Sequence, residues 1–149
     1  MGVIFKGIHK FALITYLKSP LFDPIPLYHS ITSSNYFNSC KVHFSYIFHT
    51  ISIDLALELE PYVVDNNNNN KQKTIQLWRF FNNKLSSKWT NVTVTLPKNF
   101  HHKYHLKFGA ALGLKSTSTF GQKVYVAIDN FSLSKSCFGI GNPVIRINE

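Results

Sequence analysis

Strict alternation of apolar and polar residues between positions 51 and 59 constrains the fold of this chain more than any other feature. Every odd position holds Ile or Leu, whereas the even positions hold Ser52, Asp54, Ala56 and Glu58. Successive side chains of a β-strand point to opposite faces, so this pattern is typical of a strand with one buried and one solvent-facing side. The segment therefore predicts a half-buried β-strand.

The same alternation predicts further strands elsewhere in the chain. They are expected over 41–48, over 90–96, over 104–108 and from 124 onward. In the last of these the apolar phase slips after Ile128, which predicts a β-bulge near Asp129 and Asn130. Segment 11–17, followed by Lys18-Ser19-Pro20, also predicts a strand that ends in a turn.

Segment 75–81 is less regular, because Ile75 and Leu77 point one way while Trp78 and Phe80 point the other. This arrangement predicts a strand that is covered on both faces. Turn-forming residues separate the predicted strands. They include the asparagine tract 66–70, Pro97-Lys98-Asn99 and the glycines Gly109 and Gly113, which we expect to form a turn.

Short strands with frequent turns, and without a helical period of useful length, predict an all-β fold. The expected architecture is an antiparallel, jelly-roll-like β-sandwich. The chain has 149 residues, enough for one domain with a hydrophobic core. Its longest apolar run, Phe11 to Leu17, is shorter than the roughly 18 residues of a membrane-spanning helix. That run lacks a signal peptide's cleavage motif, so we expect neither a membrane span nor a signal peptide in this chain.

The formal net charge of +9 suggests a polyanionic partner, but the lysines are scattered singly along the sequence. Dispersed lysines are typical of a solvated surface and argue against nucleic-acid binding. No Gly-x-Ser-x-Gly motif or phosphate-binding loop is present. The seven acidic residues suggest no catalytic pair, and strand alternation would separate His102 from His105. We therefore predict no catalytic residue, no metal site and no cofactor.

Two cysteines and two acceptor triplets are the candidate modification sites. Cys40 and Cys137 form one disulfide or remain free thiols, and neither belongs to a zinc-binding motif. Asn91 and Asn130 each begin an Asn-x-Ser/Thr triplet and are candidate glycosylation sites. The two tryptophans, Trp78 and Trp89, could stack on sugars, but at strand positions we expect both in the core.

An ordered set of motifs resembles the MAM domain, the module of meprin, neuropilin and receptor-type tyrosine phosphatases. The set begins with a Cys-x-x-x-Phe-x-Tyr motif at Cys40 and continues with Leu77-Trp78 and with Trp89 before an alternating strand. It ends with Ala-Ile-Asp-Asn at 127–130, ahead of Cys137. The resemblance covers about residues 11 to 138, between an N-terminal segment, 1–10, and a C-terminal tail, 139–149.

The MAM resemblance implies a jelly-roll β-sandwich that binds other proteins and has no catalytic activity of its own. It also implies that Cys40 pairs with Cys137. The family's opening segment, with its first cysteine pair, has no counterpart ahead of Phe11, so we expect the sandwich to be incomplete on its N-terminal side. Sheet edges left uncovered there would be an aggregation liability.

The leading functional hypothesis is a noncatalytic extracellular recognition or adhesion module of a larger membrane-attached or secreted protein. Its expected partner is a protein at the cell surface. The alternative is a lectin-like β-sandwich that binds carbohydrate or a polyanion, such as an anionic glycan, through the basic charge and spare aromatic residues.

Overall fold

The computed structural model describes residues 3–7, 13–49, 53–62, 73–82, 86–112 and 124–139. Within these residues eight antiparallel strands form two four-stranded sheets, which confirms the predicted all-β fold class. The strands are β1 (Val3–Gly7), β2 (Leu13–Lys18), β3 (Lys41–His49), β4 (Ile53–Pro61), β5 (Ile75–Asn82), β6 (Ser86–Thr95), β7 (Tyr104–Leu112) and β8 (Val124–Leu133). Two short 3₁₀ helices, Leu27–His29 and Lys135–Phe138, complete the described structure. No described helix is long and apolar enough to cross a lipid bilayer.

The strand order places late strands in the middle of both sheets. The first sheet has the order β1-β8-β3-β6, and the second sheet has the order β2-β7-β4-β5. Strand β1 comes from the segment 1–10, which the sequence placed outside the domain, and it pairs with β8 from Val3↔Ile128 to Gly7↔Val124. This pairing gives partners to backbone groups along the side of β8 that faces away from β3.

The hydrophobic core lies between the two sheets and consists of the inward-facing residues at alternate positions along the strands. Its fully buried side chains include Phe44 of β3, Leu55 and Leu57 of β4, and Phe108 of β7. Trp78 of β5 packs partly buried against this core, with its ring centroid 5.2 Å from that of Phe44, as predicted. The apolar residues of the alternating pattern are buried because the opposite sheet covers the face of each strand on which they lie.

β-bulges interrupt the regular pairing of two strands, β8 and β5. The predicted bulge in β8 is confirmed, because the register with β3 shifts between Asp129 and Ser132 and Asn130 adopts a positive φ of 55°. In β5 the register shifts beside Leu77, which lies between Gln76 and Trp78 as an extra residue. The prediction that β5 is covered on both faces is wrong, because this bulge explains the broken alternation and Phe81 is 66% exposed.

A disulfide and a buried histidine join the loops at one end of the sandwich. Cys40, just before β3, is bonded to Cys137, in the helix after β8, with their Cα atoms 4.7 Å apart. The ring of His29 is fully buried beside them. Its Nδ1 accepts a hydrogen bond from Cys40 N–H at 3.2 Å, and its Nε2–H donates to the Leu96 carbonyl at 2.9 Å. Both ring nitrogens therefore have a hydrogen-bond partner.

Candidate functional site

The strand register assigns the outward-facing side chains of the second sheet to one continuous surface, which we call the charged face. It comprises Tyr16, Lys18, Asp54, Ala56, Glu58, Glu60, Arg79, Phe81, His105, Lys107, Gly109 and Ala111. These positions are the polar members of the alternating pattern, together with three small residues and two aromatic rings. The side chains therefore stand on one rigid sheet rather than on separate loops.

Three ion pairs fix the polar groups of the charged face. The guanidinium of Arg79 donates two hydrogen bonds to Asp54, from Nε to Oδ1 at 2.9 Å and from Nη2 to Oδ2 at 2.5 Å. The other pairs are Lys18 with Glu60 at 2.6 Å and Lys107 with Glu58 at 3.8 Å. The hydrogen bond from Lys18 lowers the pKa of Glu60. Three cations and three carboxylates balance one another on this face, although the chain as a whole carries +9.

Tyr16 lies across the middle of the charged face because Gly109 leaves room for its ring. A Cβ atom at Gly109 would come within 3.0 Å of Tyr16 Cε1 and 3.2 Å of Cδ1. The ammonium group of Lys107 lies 4.0 Å from the centre of the same ring, in a cation–π contact. The ring is nevertheless 55% exposed. Tyr16 is thus positioned by neighbours on the sheet and still open to a ligand.

The centre of the charged face forms a floor of small residues. Gly109, Ala56 and Ala111 occupy neighbouring positions on β7 and β4. Tyr16 lies beside Gly109 on the β2 side, and on the β5 side Arg79 lies beside Ala56 and Phe81 lies beside Asp54. Three strand spacings, roughly 14 Å, separate the outer strands β2 and β5. The small residues, the two exposed rings and the ion-paired side chains together make a surface of mixed polar and aromatic character.

Ser19 fixes the end of β2 at the edge of the charged face. Its hydroxyl accepts a hydrogen bond from Leu106 N–H at 2.8 Å, and its carbonyl accepts one from His105 Nδ1 at 2.9 Å. The ring of Tyr62 meets His105 edge to face, with centroids 6.2 Å apart. These contacts fix the end of β2 against β7, so the position of Lys18 on the face is defined.

The outer face of the first sheet has a different composition, and we call it the hydroxyl face. Its central residues are His43, Ser45, Asn91, Thr93, Asp129 and Ser132. Ser45 Oγ donates to Asn91 Oδ1 at 2.6 Å, and His43 lies between Thr93 Oγ1, 3.0 Å from Nδ1, and Ser134 Oγ, 3.3 Å from Nε2. These groups bond chiefly to one another across neighbouring strands.

The structure places the residues predicted as modification sites on the first sheet and its flanks. The expected Cys40–Cys137 disulfide is present. Asn91 on β6 and Asn130 in the β8 bulge are both exposed. Their glycosylation stays a prediction.

Two further sequence interpretations are wrong. Gly109 lies within β7 rather than in a turn, because Tyr16 requires an empty position there, and Trp89 is 51% exposed rather than in the core. Gly113 and the asparagine tract lie outside the described residues.

The histidines near position 102 do not form a metal site within the described part of the chain. His101 and His102 precede the start of β7 at Tyr104, so the strand alternation expected for His102 does not apply there. His105 points to the charged face and bonds to Ser19. Among the described residues no group of three or more His, Cys, Asp or Glu side chains could hold a metal ion.

A second surface feature lies beside the disulfide. It is a cleft of about 380 Å³, lined by proline, aromatic and aliphatic residues that include Leu21, Pro24 and Phe138. Phe138 is 52% exposed. The cleft carries Asp23 as its charged group, and this carboxylate pairs with Lys103 at 3.2 Å. It offers fewer fixed polar groups than the charged face does.

Comparison with known proteins finds similarity among solved structures. No protein-family model matches the sequence, and no curated protein matches it. A solved structure described under "Structural basis for the promiscuous specificity of the carbohydrate-binding modules from the beta-sandwich super family" is similar to the chain, with a TM-score of 0.43 and 10% sequence identity. The alignment covers 89% of this chain and 53% of that one, so the chain spans about half the length of the matched structure.

Proposed function

We propose that the chain is a noncatalytic binding module of an extracellular protein and that it recognises its partner through the charged face. The observation that carries this proposal is the pair of exposed rings, Tyr16 and Phe81, on a face that also carries three ion pairs. These rings are 55% and 66% exposed, whereas Phe44 and Phe108 lie in the core. Aromatic rings held on a rigid surface beside hydrogen-bonding groups are the usual anchors of a binding site.

The groups on the charged face suit recognition better than chemistry. Their carboxylates are each paired with a cation, as in Asp54 with Arg79, so the face offers fixed donors and acceptors. Such pairs confer specificity through complementarity with a partner's polar groups. A surface protein of the cell is the leading partner, in line with the adhesion role that the MAM resemblance implies. The Cys40–Cys137 disulfide and the two-sheet sandwich agree with that resemblance.

The disulfide also supports the proposed extracellular location. Disulfides persist in oxidising compartments and are rare in the reducing cytosol. Cys40 and Cys137 are both buried, at 0% and 6% exposure, and are joined in the folded chain. Free thiols in protein recovered from its native source would contradict this location.

A carbohydrate chain is the second candidate ligand, and the small residues beside Tyr16 favour it. Ala56 and Ala111 leave space for a flat sugar ring beside Tyr16, and Arg79 and Asp54 offer hydrogen bonds to hydroxyl groups. Because the charges of this face balance, we expect a neutral glycan to fit it better than a polyanion. An anionic glycan would have to bind elsewhere on the +9 surface.

Binding measurements with three probes test the proposal. The full chain, secreted behind a supplied signal peptide, is presented to beads coated with the same chain, to an array of neutral and sulfated glycans, and to a panel of cells. The variant carrying both Tyr16→Ala and Phe81→Ala should lose at least tenfold in affinity for the probe that the wild type binds. Trp89→Ala removes an equally exposed ring from β6 and should bind as the wild type does.

Salt dependence then separates the partner classes. Binding to a neutral glycan or to a protein should change little between physiological and high salt, whereas binding to sulfated glycans should weaken strongly. Loss of binding in Trp89→Ala, with binding intact in the double variant, would move the site to the first sheet. Binding that survives all three substitutions would show that the two rings of the charged face are not the anchors.

A further inference from the structure

The outer side of β6 is a free sheet edge in the described part of the structure. Strand β6 pairs with β3 along one side, and it stands last in the first sheet. An edge strand presents unpaired backbone N–H and C=O groups that can template pairing with a second chain. Soluble proteins therefore protect such edges.

The regular part of this edge has the composition of a self-pairing segment. Thr90 to Thr95 pair residue by residue with Tyr46 to Lys41 of β3, and the register breaks only on the other side of Thr90. The six residues read Thr-Asn-Val-Thr-Val-Thr. They contain no charge, no proline and no glycine, and all but Asn91 are β-branched. This is the signature of segments that add to one another edge to edge.

The other outer strands carry protective features that β6 lacks in this stretch. Strand β1 has five residues, and β2 has six residues, ends at Lys18 and is followed by Pro20. Strand β5 contains a bulge and the charged Arg79. Short length, charge, proline and bulges all discourage edge pairing. The charged residue of β6, Lys88, lies outside its regular part.

Asn91 occupies this unprotected stretch and is presented for modification. Its side chain is exposed, and its Oδ1 accepts the hydrogen bond from Ser45 at 2.6 Å. That bond orients the amide while its other atom, Nδ2, remains the one to which an N-linked glycan attaches. Val92 turns inward, so the Asn91 amide and the Thr93 hydroxyl of the acceptor triplet share the outer face.

We infer that Asn91 carries an N-linked glycan and that this glycan blocks edge-to-edge pairing of β6. The inference rests on the extracellular location proposed above, and it is independent of the charged face. In the modification, Asn91 Nδ2 bonds to the anomeric carbon of an oligosaccharide carried on a diphospho-lipid. The bond between that carbon and the diphosphate oxygen breaks, the diphospho-lipid leaves, and the amide nitrogen loses one proton. A bulky hydrated group at this position excludes a neighbouring strand.

The second acceptor site provides a matched control within the same sheet. Asn130 lies in the bulge of β8, and β8 is flanked by β1 and β3. A glycan there would stand on an interior strand, so its removal should leave the edge of β6 unchanged. Any effect specific to Asn91 therefore reports on the edge.

The test combines site occupancy with the molar mass in solution. The full chain is secreted from eukaryotic cells behind a supplied signal peptide, as wild type, Asn91→Gln, Asn130→Gln and Asn91→Lys. Peptide mass spectrometry gives the occupancy of each site, and light scattering gives the mass over a concentration series. We expect Asn91 to be occupied in the wild type. Wild type and Asn130→Gln should remain monomeric, whereas the average mass of Asn91→Gln should at least double as concentration rises.

Asn91→Lys keeps the test decisive if Asn91→Gln fails to leave the cell. It lacks the glycan but restores a charge to the edge, so it should be secreted as a monomer. Recovery of Asn91→Lys without Asn91→Gln would support edge blocking. Loss of both variants would show that the sugar serves folding in another way and would overturn the inference. An unoccupied Asn91 in secreted wild-type protein, or monomeric Asn91→Gln across the whole series, would overturn it as well.

Discussion

The two outer faces of the sandwich arise from the same alternation of residues but differ in chemistry. The charged face of the second sheet carries three ion pairs and two exposed aromatic rings. The hydroxyl face of the first sheet carries hydroxyl, amide and imidazole groups that bond across strands, as Ser45 does to Asn91. One face offers fixed charges and rings to a partner, and the other satisfies its own polar groups.

This difference teaches that the net charge of the chain is a poor guide to its binding surface. Asp54, Glu58 and Glu60 are three of only seven acidic residues, and all lie on the charged face. The excess of basic residues is therefore spread over the remainder of the molecule. The recognition surface that we propose is nearly neutral, and specificity there comes from the placement of groups rather than from net attraction.

The largest expected effect comes from removing the disulfide, which fastens only the first sheet. Cys40 leads into β3 and Cys137 follows β8, and these strands are neighbours. Replacing both cysteines by alanine should lower the free energy of unfolding by about 4–5 kcal/mol, because the bridged positions are 97 residues apart in the sequence. Denaturant unfolding measures the loss.

Hydrogen exchange would localise that effect. Amides of β3 and β8 should lose protection before those of β4 and β7, if the bridge stabilises the first sheet in particular. The wild-type protein, reduced under the same conditions, is the control for the substitutions. A uniform loss of protection across both sheets would remove this difference between them.

The stability of the protein at alkaline pH should depend on Tyr104 of the second sheet. Tyr104 of β7 is 1% exposed, and burial raises its pKa to about 12. Above pH 10 the phenol ionises in the unfolded chain while it stays neutral in the folded one, so stability falls as the pH rises. The loss should reach about 2–3 kcal/mol near pH 12, measured by urea unfolding at successive pH values. Tyr104→Phe should reduce this slope, and an unchanged slope in that variant would contradict the prediction.

A smaller change on the charged face should separate binding from stability. In Gly109→Ala the new methyl group displaces the Tyr16 ring, which is exposed and free to move away. We expect roughly tenfold weaker binding of the probe that the wild type recognises, and a change in stability within about 0.5 kcal/mol. Tyr16→Phe retains the ring and serves as control. A loss of stability as large as that of a core substitution would show that Gly109 serves the fold rather than the site.

The smallest effect concerns the ion pair between Lys18 and Glu60. Because Lys18 lowers the pKa of Glu60, the pair contributes stability above the unfolded pKa, and this contribution is lost as the pH falls through the folded pKa. Both side chains are partly exposed, so we expect only a few tenths of a kcal/mol. Thermal unfolding of Glu60→Gln between about pH 6 and pH 3 should lack this component. Asp23→Asn, in the more exposed pair with Lys103, should change even less.

The core strands could be predicted because burial of one face of a strand requires alternating apolar and polar residues in the sequence. The inward residues of β4, such as Leu55 and Leu57, follow the alternation without exception, and the slip after Ile128 located the β8 bulge. No comparable sequence pattern marks the proposed binding surface. Its ion pairs join residues far apart in the chain, as Lys18 joins Glu60, and they become visible only when the pairing register is known.

The errors at Gly109 and Trp89 have different origins. A glycine between apolar residues reads as a turn, and the ring that requires Gly109 belongs to Tyr16, on another strand. A tryptophan ahead of an alternating strand reads as core, whereas the alternation of β6 itself places Trp89 with the exposed Asn91 and Thr93. Only the first error needed the tertiary structure to correct it.

The central position of β8 also governs the order in which the molecule assembles. Strands β1 and β3 both pair with β8, and β3 precedes β8 by some 80 residues of chain. The first sheet therefore cannot form completely until β8 has left the ribosome. Until then Cys40 lacks the partner that it has in the folded chain, since Cys137 is synthesised later. The first sheet is thus incomplete, and its strand edges are open to aggregation, until β8 has been made.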